Sequence, residues 1–247
     1  MSKMKEPESY IRLLPDTIID KIAAGEVIQR PASVVKELLD NAIDAGADHI
    51  QLVIEQSGRT LIQVTDNGCG MSEVDLERCF TRHATSKIQG IDDLYAIRTM
   101  GFRGEAMSSI SAISQVDAKS KLHNQDAGWS IRLHGGEIQQ KSPVATTNGT
   151  QVTVRNLFFN VPARRQFLKT DATEFRHILK TVQHAAISHP KISFTFVSDA
   201  DTVYQLPSQS LEDRIVGMFG KRYKASLIPF SEQTSYVTVH GVAGDPK

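Results

Sequence analysis

The chain has 247 residues, and its 28 lysines and arginines balance 28 aspartates and glutamates, so the formal net charge is zero. Hydrophobic residues make up 40% of the chain and charged residues 23%, a composition that excludes a disordered acidic or basic tail. The two cysteines exclude a disulfide scaffold, and no apolar run approaches the roughly 18 residues that a membrane span needs. The composition favours a globular protein of one domain, or about one and a half, with no membrane as a partner.

The N-terminal residues contain no apolar segment of the kind found in signal peptides. Together with the two cysteines, this favours a reducing, cytoplasmic location. Zero net charge argues against a protein that coats nucleic acid with its whole surface, but it leaves a local basic patch open.

Helical and strand patterns alternate in the first part of the chain. The apolar spacing predicts two helices and then a hairpin, at residues 15–28, 31–45, 50–54 and 62–64. Pro31 suits the first turn of the second helix, and Ser57-Gly58 suits the hairpin turn. Residues 66–104 are rich in glycine and small residues, and a connection of that length is usually functional or disordered.

The second part of the chain predicts short strands around one long helix. The predicted elements are a helix from Gly104, strands around 114–119, 130–134 and 151–155, a helix from Thr173 to before Pro190, and a hairpin at 192–197 and 203–206. A linker (207–210), a helix (211–219) and a strand (236–242) follow. About 40 residues are too few for an independent core. We therefore predict one domain over residues 1–207, with 1–14 as an N-terminal arm, and the incomplete start of a second domain over 208–247.

Three polar residues share one stripe of the second predicted helix. Glu37 and Asn41 are one helical turn apart, and Asp44 joins them at the edge of the apolar arc, whereas Lys36 and Asp40 are predicted to face water. A carboxylate can accept a proton from water, and an amide oxygen can ligate a hard cation. For Glu37 and Asn41 taken alone, the alternative is an ordinary polar stripe that faces solvent.

A glycine-rich turn follows the second predicted strand. Asp66, Gly68 and Gly70 form an Asp-x-Gly-x-Gly sequence that leaves a carboxylate at the strand end, where it can accept a hydrogen bond from an exocyclic amine. An ordinary turn is the alternative, because Asp-Asn-Gly is common turn chemistry. We assign Cys69 no catalytic role.

Two further loops have the composition of an anion site. Residues 82–87 and 101–106 combine glycines, basic side chains and a predicted helix start, where backbone N–H groups attract phosphate. Lys87 and Arg103 can add positive charge. The P-loop sequence is absent from the chain. Thr150 follows Gly149 at the start of a predicted strand and can close a pocket wall with its hydroxyl.

The order of these motifs resembles the four boxes of the GHKL, or Bergerat-fold, ATPases, which include DNA gyrase, histidine kinases and a cytosolic chaperone. The boxes are Glu37-x-x-x-Asn41, Asp66-x-Gly68-x-Gly70, Gly101-x-x-Gly104-x-Ala106 and Gly149-Thr150. Longer segments narrow the resemblance to the MutL mismatch-repair family; they are residues 22–27, 30–38, 82–87, 101–106 and 160–164. Val161 departs from the family, which more often has threonine there.

The resemblance implies an α+β fold, a two-layer α/β sandwich with the Bergerat ATP-binding fold, followed by the truncated start of a ribosomal-protein-S5-like domain. It implies a Mg²⁺-dependent ATPase with ATP and Mg²⁺ as cofactors. Glu37 would be the general base, Asn41 would hold Mg²⁺, and Asp66 would bind the adenine amine with Thr150 nearby. Phosphoryl transfer depends on such positioning and charge neutralisation more than on covalent chemistry.

The same resemblance assigns the remaining binding residues and the partners. Gly68 and Gly70 would shape the adenine turn, and the lid over the phosphates would comprise Thr85, Ser86, Lys87, Gly101, Phe102, Arg103 and Gly104. The family implies an ATP-driven homodimer that couples a mismatch-recognition protein of the MutS family to downstream repair factors. A lysine of the family's second domain reaches the γ-phosphate, and that segment would lie beyond Lys247. We therefore expect ATP binding with weak hydrolysis, and any endonuclease site would lie outside the chain.

DNA is a further predicted partner. Basic residues cluster at Arg164, Arg165 and Lys169, with Arg176, Lys180 and residues 221–224 as additional positive charges. Contacts made by these side chains would be to phosphates and would depend on salt. A solvated charged face is the alternative.

Two other functions compete with a mismatch-repair switch. One is a chaperone-like or topoisomerase-like ATPase of the same fold, against which the long motifs at 82–87 and 101–106 argue. The other is a non-catalytic DNA-binding scaffold with a vestigial pocket, against which intact Glu37, Asn41 and Asp66 argue. A protein-histidine kinase is the least favoured function.

Overall fold

The computed structural model of the chain describes residues 12–88, 90–94, 99–101 and 104–244. The α-helices in these ranges are α1 (Asp16–Val27), α2 (Pro31–Asp44), α3 (Glu73–Arg78), α4 (Ile91–Leu94), α5 (Ala106–Ala112), α6 (Pro162–Phe167), α7 (Asp171–Ser188) and α8 (Leu211–Phe219). Short 3-10 turns lie at Gln56–Gly58 and Lys221–Ser226.

Most strands of the described ranges join one mixed sheet. The strands are β1 (His49–Glu55), β2 (Leu61–Asp66), β3 (Gln115–Lys121), β4 (Gly128–His134), β5 (Glu137–Val144), β6 (Gly149–Arg155), β7 (Ser193–Ser198), β8 (Asp201–Leu206), β9 (Leu227–Gln233) and β10 (Thr238–Gly244). The first eight form a sheet in the order β5-β4-β3-β6-β2-β1-β7-β8. The β1–β7 pair is parallel and the other pairs are antiparallel. Strands β9 and β10 form a separate hairpin.

One face of the large sheet is buried against helices. Burial alternates along β1, β3 and β7, as expected when only one face of a sheet packs on a core. The register places Leu52 of β1 beside Val64 of β2 and Phe196 of β7. Buried residues of the helices, such as Leu39 and Ile178, complete the same apolar cluster. The predicted two-layer α/β arrangement is therefore confirmed.

Several elements depart from the sequence patterns. The patterns do not predict α3, α4, α6, β5 or β9, and they treat most of residues 66–104 as one connection. Strand β5 is an edge strand with mostly exposed side chains and contains Pro143, so it lacks the alternation that marks a strand. Ser72 caps the start of α3: its hydroxyl accepts the N–H of Asp75, a short capping signal inside an otherwise loop-like stretch.

The prediction that Asp40 faces water is wrong. Asp40 is 6% exposed, and its carboxylate lies 2.6 Å from the ammonium of Lys36. The hydrogen bond to Asp40 raises the pKa of Lys36. Helix α2 packs against both β2 and α7, so its buried arc is wider than its apolar residues alone indicate.

A buried arginine joins α8 to the end of the large sheet. Arg214 is fully buried, and its guanidinium donates to the carbonyls of Ala186, Pro190, Ile192 and Pro207 at 2.7–3.2 Å. It also lies over the ring of Phe194, 5.5 Å from the centroid. These carbonyls come from α7, the segment just before β7 and the residue just after β8, whereas Arg214 lies beyond the predicted domain boundary at 207. That boundary stays a prediction.

Arg214→Ala should destabilise the chain by about 3 kcal/mol or more, because each buried carbonyl that loses its donor costs about 1–3 kcal/mol. Urea unfolding followed by circular dichroism measures this change. Arg222→Ala is the matched control, because Arg222 is exposed, and it should change the free energy of unfolding by less than about 0.5 kcal/mol. Equal stability of the two variants would contradict a fastening role for Arg214.

Candidate functional site

Three polar residues lie side by side at one end of neighbouring strands. The register pairs Asp66 of β2 with Thr150 of β6, and Thr150 with Ser120 of β3. The Ser120 hydroxyl lies 2.9 Å from that of Thr150 and accepts the N–H of Met71 at 2.8 Å. Asp66 and Thr150, which are far apart in sequence, thus belong to one cross-strand row, and Ser120 connects that row to the turn after β2.

The Asp66 carboxylate is buried and held by backbone donors. It is 9% exposed, and its Oδ1 accepts the N–H groups of Gly68 at 2.9 Å and Thr150 at 3.3 Å. Burial raises the pKa of Asp66, and the two hydrogen bonds oppose this shift. Both bonds end on Oδ1, so Oδ2 is the oxygen that can accept a hydrogen bond from the amine of a ligand.

The turn after β2 packs tightly against the C-terminal end of α2. The N–H of Cys69 donates to the carbonyl of Ala45 at 2.9 Å. A side chain at Gly68 would place its Cβ 2.7 Å from the same carbonyl oxygen, and Gly70 has a φ of +72° and lies against the backbone of Lys121. Residues larger than glycine therefore do not fit these two positions without movement of the backbone.

The polar stripe of α2 lies next to this turn. Asn41 and Asp44 are within one turn of Ala45, and both contact Lys87. The Lys87 ammonium lies 2.8 Å from Asn41 Oδ1 and 2.6 Å from Asp44 Oδ2. Glu37, one turn earlier on α2, is partly exposed, with its carboxylate 3.9 Å from the Lys36 ammonium. The structure therefore brings Asn41 and Asp44 of α2 together with the predicted lid residue Lys87.

The two predicted lid loops lie against each other. A Cβ at Gly104 would come 2.6 Å from the carbonyl oxygen of Ala84, and one at Gly101 would come 3.4 Å from the Lys87 ammonium. The Thr85 hydroxyl accepts the N–H of Lys87 at 3.2 Å. Ser86 is exposed in the same loop. Phe102 and Arg103 lie outside the described residues.

The three residues of the predicted DNA-binding cluster, Arg164, Arg165 and Lys169, differ in exposure. The Arg164 guanidinium packs on Gly25 of α1, and a Cβ at that glycine would overlap it. Arg165 and Lys169 are exposed near the exposed Phe167. Two of the three predicted DNA residues are therefore available at the surface.

The sequence patterns miss two residues of this region. Ser120 occupies an ordinary strand position, and only the pairing of β3 with β6 brings it to Thr150. Asn67 reads as an ordinary turn residue, but its side-chain oxygen accepts the N–H groups of Asp48 at 3.1 Å and His49 at 2.9 Å, which ties the turn to the start of β1. Ser120 belongs to no recognisable short motif, and Asn67 fills a variable position of the Asp66–Gly70 motif.

The donor set suits a metal that needs few protein ligands. Across the described ranges, no group of three or more histidine, cysteine, aspartate or glutamate residues is placed to hold a metal ion. The Asn41 amide oxygen already accepts a cation, the Lys87 ammonium. Mg²⁺ commonly takes one or two protein oxygens and completes its shell with water and phosphate, so Asn41 fits such an ion.

Comparison with known proteins identifies the family. The family described as "Histidine kinase-, DNA gyrase B-, and HSP90-like ATPase" matches residues 26–159. A MutL ATPase domain from Aquifex aeolicus, solved in complex with ADP, is 30% identical, with a TM-score of 0.66 over 83% of this chain and 73% of that one. The chain belongs to the MutL family of these ATPases. Its eight-stranded sheet with one helical layer is the Bergerat ATPase fold.

Full-length MutL relatives are also similar to this chain. The DNA mismatch repair protein MutL of Chloroherpeton thalassium is 49% identical over 96% of the chain, and that of Porphyromonas gingivalis is 48% identical over 96%. The chain covers 37% and 38% of those proteins, so it spans less than two fifths of their length. A solved "N terminal domain of a DNA repair protein" is 28% identical, with a TM-score of 0.74 over 87% of this chain and 64% of that one. No helix in the described ranges is both long and apolar enough to cross a membrane.

The two cysteines of this MutL-family chain should differ in reactivity. Burial raises the pKa of Cys79 to about 12, and its thiol donates to the carbonyl of Leu76, whereas Cys69 is exposed in the turn after Asp66. Because the thiolate is the reactive form, an aromatic disulfide reagent at pH 8 should modify one thiol quickly in the folded chain and the second only after denaturation. Cys69→Ser should remove the fast phase; rapid reaction of both thiols in the native protein would contradict the raised pKa of Cys79.

Proposed function

We propose that this chain is the nucleotide-binding part of a Mg²⁺-dependent MutL ATPase whose nucleotide state acts as a switch in DNA mismatch repair. The observation that carries the proposal is the meeting of the Asp66–Thr150 row with the Asn41–Lys87 contact across the junction of β2 and α2. The buried Asp66 carboxylate, a suitable acceptor for a base, is thus joined through this junction to Asn41, which suits a metal, and to Lys87, which suits phosphate. The ADP complex of the similar Aquifex aeolicus domain supports a nucleotide as the ligand.

Asp66 is proposed to bind the adenine amine. Its free Oδ2 can accept that amine, while Gly68 and Thr150 hold Oδ1 in place. Ser120 keeps the Thr150 hydroxyl and the N–H of Met71 in one network, and so acts as a positioning residue. Gly70 lets the turn approach β3, so the pocket wall is set by backbone geometry.

Asn41 and Glu37 are proposed to serve the phosphate end. Asn41 Oδ1 would hold Mg²⁺, which supplies charge neutralisation at the phosphates when it is bound. Glu37 lies one turn away on the same helix and would accept the proton of the attacking water. The predicted lid residues Thr85, Ser86, Lys87, Gly101, Phe102, Arg103 and Gly104 would bind the phosphates from the other side.

Glu37→Ala should reduce ATP turnover by at least about 10²-fold, because a general base contributes roughly 10²–10⁴-fold. Binding of a non-hydrolysable ATP analogue with Mg²⁺ should stay unchanged, since Glu37 would act on water and not on the nucleotide. Calorimetry and a phosphate-release assay measure the two quantities. Glu137→Ala, which removes an exposed carboxylate of β5, is the matched control. Near-normal turnover by Glu37→Ala would exclude this residue as the base.

Asp66→Asn should weaken ATP binding about tenfold or more, because a lost charge-assisted hydrogen bond costs about 1.5–3 kcal/mol. Inosine triphosphate lacks the exocyclic amine, so its weaker binding should be nearly insensitive to the same substitution. Titration of both nucleotides into wild type and variant tests this assignment. An equal loss for both nucleotides would show that Asp66 supports the fold of the pocket but does not bind the amine.

Self-association is proposed as the output of the switch. Apolar side chains of the N-terminal segment and α1 are exposed, among them Leu13, Leu14, Ile18 and Ile22. A second copy of the chain that covers them would bury apolar surface, which favours association. By family membership, the partners of such a dimer would be a MutS-family protein and downstream repair factors, in the cytoplasm. Residues 208–247 are proposed to begin the second domain, and hydrolysis by this chain alone is expected to be weak.

DNA phosphate binding by the exposed basic residues is a second proposal. Arg165→Glu with Lys169→Glu should weaken binding to duplex DNA at low salt and flatten the dependence of log K on log salt by about 0.9 per lost phosphate contact. Arg164 is left unchanged because its guanidinium packs on Gly25. Lys191→Glu, an exposed lysine outside the cluster, is the control. Identical salt slopes for the double variant and wild type would locate any DNA site elsewhere.

A further inference from the structure

The Lys87 ammonium is held by two side chains of α2. It lies 2.6 Å from Asp44 Oδ2 and 2.8 Å from Asn41 Oδ1. The side chains of Lys87 and Asp44 are only 19% and 8% exposed. Low solvent exposure strengthens an ion pair, so this contact differs from the weak pairs of an open surface.

Asp44 also holds the backbone of the second loop. Its Oδ1 accepts the N–H of Met100 at 3.0 Å, and its Oδ2 accepts that of Gly101 at 3.3 Å. One carboxylate therefore fastens Lys87 and residues 100–101 to the same point of α2. Neither the sequence patterns nor the family resemblance assigned a role to Asp44.

Lysine and metal compete for the same oxygen in this arrangement. If Asn41 is the metal ligand, as proposed above, the Lys87 ammonium occupies the position from which a cation contacts Oδ1. Two cations beside one amide oxygen repel each other strongly in a partly buried site. Lys87 must therefore leave Asn41 before Mg²⁺ binds there.

We propose that Asp44 is a positioning residue that keeps Lys87 on Asn41, and residues 100–101 on α2, while no nucleotide is bound. The lysine then acts as an internal substitute for Mg²⁺. When a metal and a nucleotide are bound, Asn41 would hold the metal and Lys87 would leave Asn41 and contact the phosphates. This inference rests on the proposed function for the metal at Asn41, but the hold of Asp44 on the loop exists without a nucleotide.

A second pair on α2 provides a matched control. Lys36 and Asp40 are also 2.6 Å apart, and the Asp40 side chain is 9% exposed. Their contact stays within one helix, whereas the Asp44 contacts cross to two loops. Substitution of Asp40 therefore perturbs the same helix and removes a similar charge, but leaves the loops in place.

The first arm of the test measures amide hydrogen exchange at Met100 and Gly101 by NMR in the nucleotide-free chain. Asp44→Ala should increase both exchange rates by tenfold or more, and Asp40→Ala should leave them unchanged. Asp44→Asn, which keeps the shape of the side chain, replaces the alanine variant if that variant does not fold, and should raise at least one of the two rates. Wild-type rates at both amides in a folded Asp44 variant would overturn the proposal.

The second arm measures the Mg²⁺ concentration that half-saturates binding of a non-hydrolysable ATP analogue. Asp44→Asn weakens the hold on Lys87 at Asn41 but keeps the lysine for the phosphates, so this concentration should fall by threefold or more, with Asp40→Asn as the charge-matched control. An unchanged or higher value in Asp44→Asn would overturn the competition between lysine and metal. A folded wild type that binds no nucleotide, with or without Mg²⁺, would instead overturn the proposed function. The exchange arm contains no nucleotide, and it still decides whether Asp44 holds the loop in that case.

Discussion

The site depends on one backbone contact, the hydrogen bond from the Cys69 N–H to the Ala45 carbonyl at 2.9 Å. Carbonyls at the end of a helix have no partner within the helix. The Cys69 N–H provides the donor for one such carbonyl after α2, and the same bond fixes the position of the turn after β2. Gly68 makes the close approach possible. This contact joins the turn that follows Asp66 to the end of the helix that carries Asn41, and so connects the two parts of the proposed site.

The two ends of the site are held by different kinds of interaction. Asp66, Thr150 and Ser120 are fixed by ladder pairing across β2, β6 and β3, which changes only if the sheet itself opens. Lys87 and residues 100–101 are held through side chains of α2 instead. The proposed base end is thus fixed by the sheet, whereas the proposed phosphate end is held by side chains that can rearrange without disturbing the core. This division suits a protein that keeps one nucleotide pocket but changes its loops with the bound nucleotide.

Local chemistry made part of this structure predictable. Alternating apolar residues predicted β1 and β2, helical spacing predicted α2 and α7, and the turn sequence located Asp66, because each signal depends on near neighbours. Other features depend on contacts between distant segments. Ser120 carries no signal of its own, because β3 must pair with β6 before it has a partner. The polar stripe placed Asp44 on α2 but did not indicate that Lys87 would be its partner. The long motifs identified the family, but they did not indicate which charges pair in the nucleotide-free chain.

Helices α1 and α8 differ in how they are connected to the two predicted lid loops. Arg214 binds carbonyls of α7, of the segment before β7 and of the residue after β8, so α8 is fastened to the end of the large sheet. Helix α1 packs instead on α5, which begins two residues after Gly104. A change at the loops can therefore reach α1 through α5. Because the exposed apolar residues lie on α1 and the segment before it, the proposed dimer surface is adjacent to the part of the site that can move. Nucleotide binding can alter that surface without any change in the sheet.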